Sequence, residues 1–484
     1  MSLPEPDPRR WLILAVIAGA QMMVVLDATV VNIALPSLQS ALGISDADRQ
    51  WVITAYALTF GGFLLLGGRV ADYWGRKRTF ILGMLGFALA SAMGGVANSA
   101  EVLFAARALQ GLFGAMLAPA GLAILTTTFH DPDERSKAFA VFGAVSAGGA
   151  AVGLLLGGIL TELLNWRWCL LVNTPVAIVA ALATYRVVRE SKVSQSGSLD
   201  VGGALLGTLG LVSLVYGFTK AGETSWGNST TVTFLAAAVV LLVAFALYEA
   251  RHKNPLLPLR IPRDRNRGGS YLTSILLGAA IFGASLFLTY YFQSVLGYTP
   301  IQAGLASLPI SAGVFIAAGG LGNLLPRIGP RPVMLTGSLF GAAGMILLAQ
   351  IQVDSSFWAL IFPGELLFGL GMGMIFVPLA NIALINVEPD DAGVASALLN
   401  ASQQVGGSLG TALLNSVYTS AVAAYLTDHA IRNPENPQAL VHGFEVGFWW
   451  SAGLMLIGTV VIGLMIRAGK DDLVEQEGVP VHAG

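Results

Sequence analysis

The stretch GGRVADYWGRKR, residues 67–78, lies between two long apolar runs and decides how the rest of the chain is interpreted. It combines one acid, a turn-forming glycine and a cluster of cations: Asp72, Gly75, Arg76, Lys77 and Arg78. The flanking runs, 51–66 and 79–100, contain no charged residue. A basic connector between two apolar spans stays on the cytoplasmic side of a membrane. The stretch therefore predicts that both runs cross a membrane and that their connector faces the cytoplasm.

The composition is that of an integral membrane protein. Of the 484 residues, 55% are hydrophobic and only 11% are charged, whereas soluble proteins have about 25% charged residues. The cations lie in short connectors and not on one basic face with interleaved aromatic residues, which argues against nucleic-acid binding. The single cysteine, Cys169, excludes a disulfide framework and a cluster of metal-binding cysteines.

Fourteen segments are long and apolar enough to span a bilayer, which requires about 20 residues. They are 11–35, 51–71, 79–98, 102–127, 138–162, 168–188, 200–219, 231–249, 269–293, 302–324, 332–351, 357–386, 394–420 and 443–467. With both termini in the cytoplasm, only four of the 26 Lys and Arg residues fall outside, namely Arg49, Arg167, Lys220 and Arg432. Arg107 lies within a span, and the other 21 lie inside, which supports this topology.

A shift of 254 residues relates the two halves of the chain. It carries Gly68, Gly75 and Lys77 onto Gly322, Gly329 and Arg331, and Leu42-Gly43 onto Leu296-Gly297. Two matches at one shift predict a duplicated unit. We therefore expect an all-α membrane protein with two six-helix bundles and two additional central spans. The predicted regions are bundle 1–188, linker and extra spans 189–250, basic linker 251–268, bundle 269–467 and cytoplasmic tail 468–484.

Several motifs resemble those of the major facilitator superfamily, and specifically its fourteen-span drug:proton antiporters. The stretch 67–78 is similar to the loop between the second and third spans, and LDATVVNIALP (26–36) to the first span. RALQGLFGA (107–115) resembles the fourth span and NWRWCLLVNTP (165–175) the start of the sixth. The resemblance implies the major facilitator fold and transport by alternating access. It also implies a conformational latch formed by Gly68, Asp72, Gly75, Arg76 and Lys77.

Three charged residues lie inside spans and are candidates for proton coupling: Asp27, Arg107 and Glu365. A charge within the membrane is expensive and is therefore a functional candidate by default. Asp27 is able to take up and release a proton, and Arg107 is able to pair with it, although a static ion pair is the alternative. Glu365 has three alternatives: attraction of a cationic substrate, a second proton site, or no role. Counting along the spans places all three in the outer half of the membrane, where we expect the two acids to flank Arg107.

Small residues form rows on two spans, at Gly149, Gly153 and Gly157 and at Gly406 and Gly410. Such rows allow close helix packing, and we expect both spans to pack on the other half and slide during gating. The first row resembles the fifth-span antiporter motif, but Leu154 replaces its proline. Neutral polar groups in spans are candidates for lining the substrate cavity: Asn32, Tyr56, Gln110, Asn400 and Gln404.

The pattern indicates proton-coupled efflux of hydrophobic or cationic compounds from the inner, cytoplasmic membrane. The expected partners are small molecules, protons and lipid, with the proton gradient as energy source and no cofactor or metal. A nucleotide loop is absent, because Gly369-x-Gly371-x-Gly373 lies within an apolar run, and an enzyme is not expected. Proton-driven uptake of a nutrient and a non-transporting sensor or assembly protein stay as alternatives. The oligomeric state is open, and a monomer is compatible with the sequence.

Overall fold

A computed structural model describes residues 7–129, 131–191, 200–252, 255–385, 387 and 392–469. Within these ranges the regular structure is entirely helical. The helices of the first part are α1 Arg10–Leu42, α2 Trp51–Trp74, α3 Arg76–Gly95, α4 Ala100–Thr128, α5 Pro132–Leu163, α6 Trp168–Leu171, α7 Asn173–Val187, α8 Val201–Glu223 and α9 Ser229–Arg251. Those of the second part are α10 Arg260–Arg263, α11 Arg265–Tyr290, α12 Pro300–Ala306, α13 Leu308–Ile328, α14 Pro330–Leu348, α15 Phe362–Leu384, α16 Ala392–Asp428 and α17 Pro437–Met465. Short π-helical turns, Tyr291–Val295 and Phe357–Ile361, extend α11 and precede α15.

Helices occupy all fourteen predicted spans, so the all-helical fold class is confirmed. Thirteen segments of the described residues are long and apolar enough to cross a membrane. The remaining predicted span, 394–420, lies in α16, which at 37 residues has ample length. Several polar side chains make α16 less apolar than its neighbours, among them Asn400, Ser402, Gln403 and Gln404.

The chain divides into two compact units. Unit 1 comprises Met1–Tyr216, Thr233–Leu256 and Gly297–Leu305. Unit 2 comprises Gly217–Val232, Leu257–Leu296 and Ala306–Gly484. Most of α8 and α9, the helices at the predicted extra spans, belongs to unit 1.

Close helix pairs in both units depend on glycine. In unit 1, Gly153 of α5 lies against Thr29 of α1 with no space for a larger residue, and Gly157 lies against the backbone of Val30. In unit 2, Gly410 of α16 lies in the same way against Ala279 of α11. The rows themselves therefore pack within their own halves and not on the other half, whereas elsewhere on α5 Gly158 lies against Pro300 and Leu154 against Gly304, both in the predicted second bundle. The sequence identifies the small-residue face of a helix, but it does not identify which helix fills that face.

The predicted duplication is visible in the backbone. The glycines with positive φ in the described chain form two pairs, Gly43 (63°) with Gly297 (67°) and Gly75 (120°) with Gly329 (80°). Each pair is separated by the predicted 254 residues. Positive φ is readily available only to glycine, so both halves require this residue at corresponding helix ends.

Candidate functional site

The centre of unit 1 contains a fully buried acid, Asp27 of α1, which has no solvent exposure. Its Oδ2 accepts a hydrogen bond from Arg107 Nη1 at 2.5 Å. Its Oδ1 accepts hydrogen bonds from Gln110 Nε2 and Asn173 Nδ2, each at 2.8 Å. An ionised carboxylate is stable in a dry interior only when it is paired and hydrogen-bonded. Helices α1, α4 and α7 together meet this requirement at Asp27.

Arg107 of α4 is equally enclosed, with 1% of its side chain exposed. Besides Asp27, it donates Nη1 to Gln110 Oε1 at 2.8 Å and Nε to the carbonyl oxygen of Val52 at 2.9 Å. Its guanidinium lies 4.5 Å from the centroid of the Tyr56 ring, in the range of a cation–π contact. The Val52 and Tyr56 contacts connect the ion pair to α2.

Gln110 completes the network because it donates to Asp27 and also to Ser91 Oγ of α3, at 2.7 Å. Gln110 is fully buried and Tyr56 is 3% exposed. Both were predicted to line a substrate cavity, but their side chains surround the Asp27–Arg107 pair inside unit 1. The pair engages the amide of Gln110 and the ring face of Tyr56, and a cavity-lining role for these two residues stays a prediction.

Two members of the network, Ser91 and Asn173, were missed by sequence reasoning. Both are buried. Asn173 lies in the stretch 165–175, whose motif indicates the family but not a partner for the amide. Ser91 is one hydroxyl in an apolar run. A neutral polar residue in a span gives no signal of its partner, since most such groups only join neighbouring helices.

Glu365, the third candidate, lies in the first turn of α15 in unit 2 and is fully buried. Neither carboxylate oxygen has a hydrogen-bond partner among the described residues. Among the described residues, all the hydrogen-bond partners of Arg107 belong to unit 1. The arrangement of two acids flanking Arg107 stays a prediction.

The internal repeat relates Glu365 to Arg107. Gly111 of α4 lies against the carbonyl of Tyr56 on α2, and Gly369 of α15 lies against that of Ile310 on α13. Tyr56 and Ile310 are separated by the repeat shift of 254, and Gly111 and Gly369 by 258. Applied to Arg107, four residues before Gly111, the shift of 258 gives Glu365. The same position of the repeat therefore has a paired cation in unit 1 and an unpaired acid in unit 2.

The predicted latch residues contact one another and other residues of unit 1. Asp72, with 40% of its side chain exposed, forms an ion pair with Arg76 at 3.3 Å, and Gly68 contacts Pro119. After Gly75 the chain enters α3, whose first amide, that of Arg76, donates to the Ser191 carbonyl at 2.9 Å. The next two amides, those of Lys77 and Arg78, donate to the two carboxylate oxygens of Glu190 at 3.1 and 3.2 Å.

Glu190 explains why a glycine is needed before α3. A Cβ on Gly75 would lie 2.6 Å from Glu190 Oε1, and the φ of 120° also disfavours other residues. Lys77 adds a hydrogen bond from Nζ to the Tyr185 carbonyl at 2.7 Å. The end of α7 and residues 188–191 thus clamp the loop, a contact that the sequence did not indicate.

The remaining cavity candidates are dispersed. Asn32 is half-buried on α1 in unit 1. In unit 2, Asn400 is exposed and donates to the Ser396 carbonyl of its own helix at 3.1 Å. Gln404 is half-buried, and its Oε1 accepts no hydrogen bond from the described residues. A lining role for these three stays a prediction.

Comparison with known proteins identifies the family. The profile of the Major Facilitator Superfamily matches residues 17–411. The puromycin resistance protein of Streptomyces alboniger is 50% identical over 464 residues, covering 95% of this chain and 92% of that protein. The cephamycin export protein of Amycolatopsis lactamdurans is 38% identical and covers 85% and 86%.

A solved structure of a POT family transporter, PepTSo, matches with a TM-score of 0.69 at 17% identity, covering 95% of this chain and 98% of that one. This likeness concerns the fold. The chain belongs to the Major Facilitator Superfamily. It is a multi-pass protein of the cytoplasmic membrane and a transporter of small molecules, not an enzyme.

Proposed function

We propose that this transporter exports hydrophobic and cationic compounds, antibiotics among them, in exchange for protons. The observation that supports the proposal most directly is the Asp27–Arg107 pair, buried at the centre of membrane-spanning helices. The relatives named for puromycin resistance and cephamycin export support the outward direction and the type of substrate.

Proton binding at Asp27 would change the balance of charge in the network. When the carboxylate is ionised it neutralises Arg107 and accepts from Gln110 and Asn173. A proton on Asp27 removes the negative charge and leaves the guanidinium with neutral acceptors only. Because a buried charge without its partner costs several kcal/mol, protonation would favour a rearrangement of α4 relative to α1 and α7. Such a rearrangement couples proton uptake to a change of conformation.

Glu365 is proposed as the second ionisable group of the transport cycle. An ionised carboxylate buried without a donor is unfavourable, so the site is suited to a proton or to a cationic substrate. No Lys, Arg or His within the described residues forms an ion pair with it. Helices α11, α13 and α14 pack against α15. Their charged residues lie at the helix ends far from Glu365, and these are Arg265, Arg267, Arg327 and Arg331. Glu365 is therefore available to a positively charged substrate that reaches α15.

The proton gradient is the only energy source that the proposal requires, and no cofactor takes part. The latch role of the loop 67–78 and gating at the glycine rows belong to the same proposed cycle. The proposal also puts both termini in the cytoplasm, as the distribution of Lys and Arg predicts.

Transport into inverted membrane vesicles tests the proposal. A pH gradient, acidic inside, should drive accumulation of a fluorescent cationic dye, and collapse of the gradient should release it. Membranes without the protein are the control. Accumulation that is independent of the gradient would contradict proton coupling. Movement only in the opposite direction would indicate uptake.

A further inference from the structure

The helices α8 and α9 have no role in the proposed cycle, but they contact each other along one side of each helix. Small residues of α8 contact α9 in antiparallel order, with Gly203 against Glu249, Gly207 against Phe245 and Gly210 against Leu242. The other face of α9 is apolar and exposed, at Val232, Val239, Val240, Val243 and Leu247. In a membrane this face is covered by lipid.

A groove of about 470 Å³ lies where α8 begins and α9 ends. One part of its lining is apolar and consists of Leu206, Ala244 and Leu247. The other part is polar and consists of Tyr248, Arg251 and His252, with the His252 ring stacked on Tyr248 at 5.2 Å between centroids. The lining includes a permanent cation and no carboxylate.

Two buried acids lie behind the polar part of the groove. Asp200 is 3% exposed, and its Oδ1 accepts from the Gly203 amide at 2.7 Å. Its Oδ2 accepts from the Leu256 amide at 3.3 Å and lies 3.6 Å from His252 Nδ1. Glu249 is also 3% exposed. Both carboxylates are enclosed in the protein and act on the polar lining at Tyr248 and His252, which leaves Arg251 as the exposed charge of the lining.

Arg251 is the cation at that mouth. It is exposed, in the last turn of α9, and forms no ion pair with any residue that the structure describes. The positive-inside rule places this end of α9 at the cytoplasmic surface. The cytoplasmic leaflet is the side on which anionic lipids attract basic residues.

We propose that this groove binds one anionic phospholipid, with an acyl chain along Leu206, Ala244 and Leu247 and its phosphate at Arg251. The apolar part of the lining is suited to a hydrocarbon chain, and the exposed Arg251 is suited to a negatively charged group. An anionic phospholipid supplies both in one molecule, whereas a free phosphate ion leaves the apolar part unfilled. The two central helices thereby provide a lipid site outside the transport network.

Native mass spectrometry of the full-length purified protein, titrated with phosphatidylglycerol, measures this site directly. Arg251→Gln should weaken binding of the first lipid about fivefold, the contribution of one basic residue near an anionic surface. Arg263→Gln is the matched control, since Arg263 is an exposed cation of the same linker outside the groove. Equal losses in the two variants, or equal binding of phosphatidylcholine, would overturn the proposal.

A second variant tests the apolar half. Ala244→Trp places a bulky ring in the groove and should weaken phosphatidylglycerol binding at least as much as Arg251→Gln. Thermal unfolding in detergent verifies that both variants are folded, and glycerol phosphate, which has no acyl chain, should not stabilise the protein. Full binding by Ala244→Trp, or stabilisation by glycerol phosphate equal to that by the lipid, would contradict an acyl-chain site.

Discussion

Asp27 and Arg107 form one ion pair, but only one of them is able to exchange a proton. The guanidinium stays protonated at all physiological pH values, so any proton that passes through the pair must bind the carboxyl group. The three donors at Asp27 come from α4 and α7, which makes the acid a junction of helices as well as a charge. A static ion pair would use the same contacts, and a functional test is needed to separate the two roles.

Asp27→Asn should abolish gradient-driven export while substrate exchange between equal pools continues. The amide resembles the protonated acid in shape but is unable to release a proton. The measurement is dye accumulation under a pH gradient compared with counterflow without a gradient.

The control for this variant is Asp354→Asn, which changes an exposed acid in the connector after α14. Since loss of one partner of a buried pair typically costs about 3–5 kcal/mol, the folded fraction is measured by size-exclusion chromatography. Loss of counterflow and of folded protein together would assign Asp27 a structural role. Full export by Asp27→Asn would remove it from coupling.

Glu365→Gln should weaken export of a monovalent cationic dye and leave export of an uncharged substrate unchanged. The reason is that the variant removes the negative charge from a buried site while keeping its size. Both substrates are compared in the same vesicles, with Gln404→Glu as a variant that adds an acid elsewhere in unit 2. Equal loss for both substrates would make Glu365 a coupling or structural residue, and no loss for either would show that it has no role.

The sequence predicted the site unevenly, for physical reasons. Charges in a span are rare and costly, so Asp27, Arg107 and Glu365 were visible without a structure. Ser91 and Asn173 were not visible, because a hydroxyl or amide in an apolar run is common and does not reveal its partner. Asp27, the partner of Asn173, lies 146 residues away in the chain. Counting residues predicted a depth for Glu365 but gave no information about the direction of its side chain.

At the scale of helices, an ion pair joins the first turns of α1 and α5. Arg10 donates Nε and Nη2 to Glu134 Oε2 and Oε1 at 2.7 and 2.8 Å. The hydrogen bond from Arg10 holds the pKa of Glu134 below its usual range. A carboxyl group with a lowered pKa in the folded state stabilises the protein above its unfolded pKa, and the effect is lost as the pH falls through the folded value.

Glu134→Gln should therefore lower the Tm at pH 7 and have no effect at a pH well below about 4, where the wild-type acid is protonated. Thermal unfolding of both proteins in detergent across this range provides the measurement. Glu435→Gln, in an exposed connector, is the control. A difference in Tm that persists unchanged at low pH would show that the contact does not depend on charge.

The clamp on α3 is a second testable contact between elements. Glu190→Gln should accelerate hydrogen exchange at the amides of Lys77 and Arg78, since an anion at a helix N-terminus is favoured by the helix dipole. Exchange is followed by mass spectrometry of the peptide that contains residues 75–80, with the start of α4 as internal reference. Unchanged exchange would mean that the amides are protected without the negative charge of Glu190.

At the scale of the whole molecule, duplication has preserved backbone geometry more strongly than chemistry. Gly75 and Gly329 retain positive φ, and Gly111 and Gly369 retain the same close helix contact. Between these fixed points Arg107 corresponds to Glu365, a reversal of charge. The sequence predicted the repeat from its glycines. Only the helix contacts show that the repeat shift at the fourth span is 258 residues, and that Arg107 and Glu365 therefore occupy corresponding positions.

The orientation of the whole chain is tested with single cysteines. Gly227→Cys lies in the connector between α8 and α9, where a side chain meets no neighbour, and should react with a membrane-impermeant maleimide in intact cells. Arg263→Cys should react only after permeabilisation. Cys169 is buried and gives little background. The opposite pattern would reverse the topology.

The composition of α16 has a consequence for how the protein is made. A nascent helix enters the bilayer individually when it is apolar enough, and α16 is the span that falls short of its thirteen companions. Its glycines Gly406 and Gly410 lie against the backbone of α11, a helix synthesised more than 100 residues earlier. Membrane insertion of α16 is therefore expected to depend on contact with α11, which is already in the bilayer, and ribosome-bound chains in which α11 is replaced by a polyleucine span should leave α16 outside the bilayer.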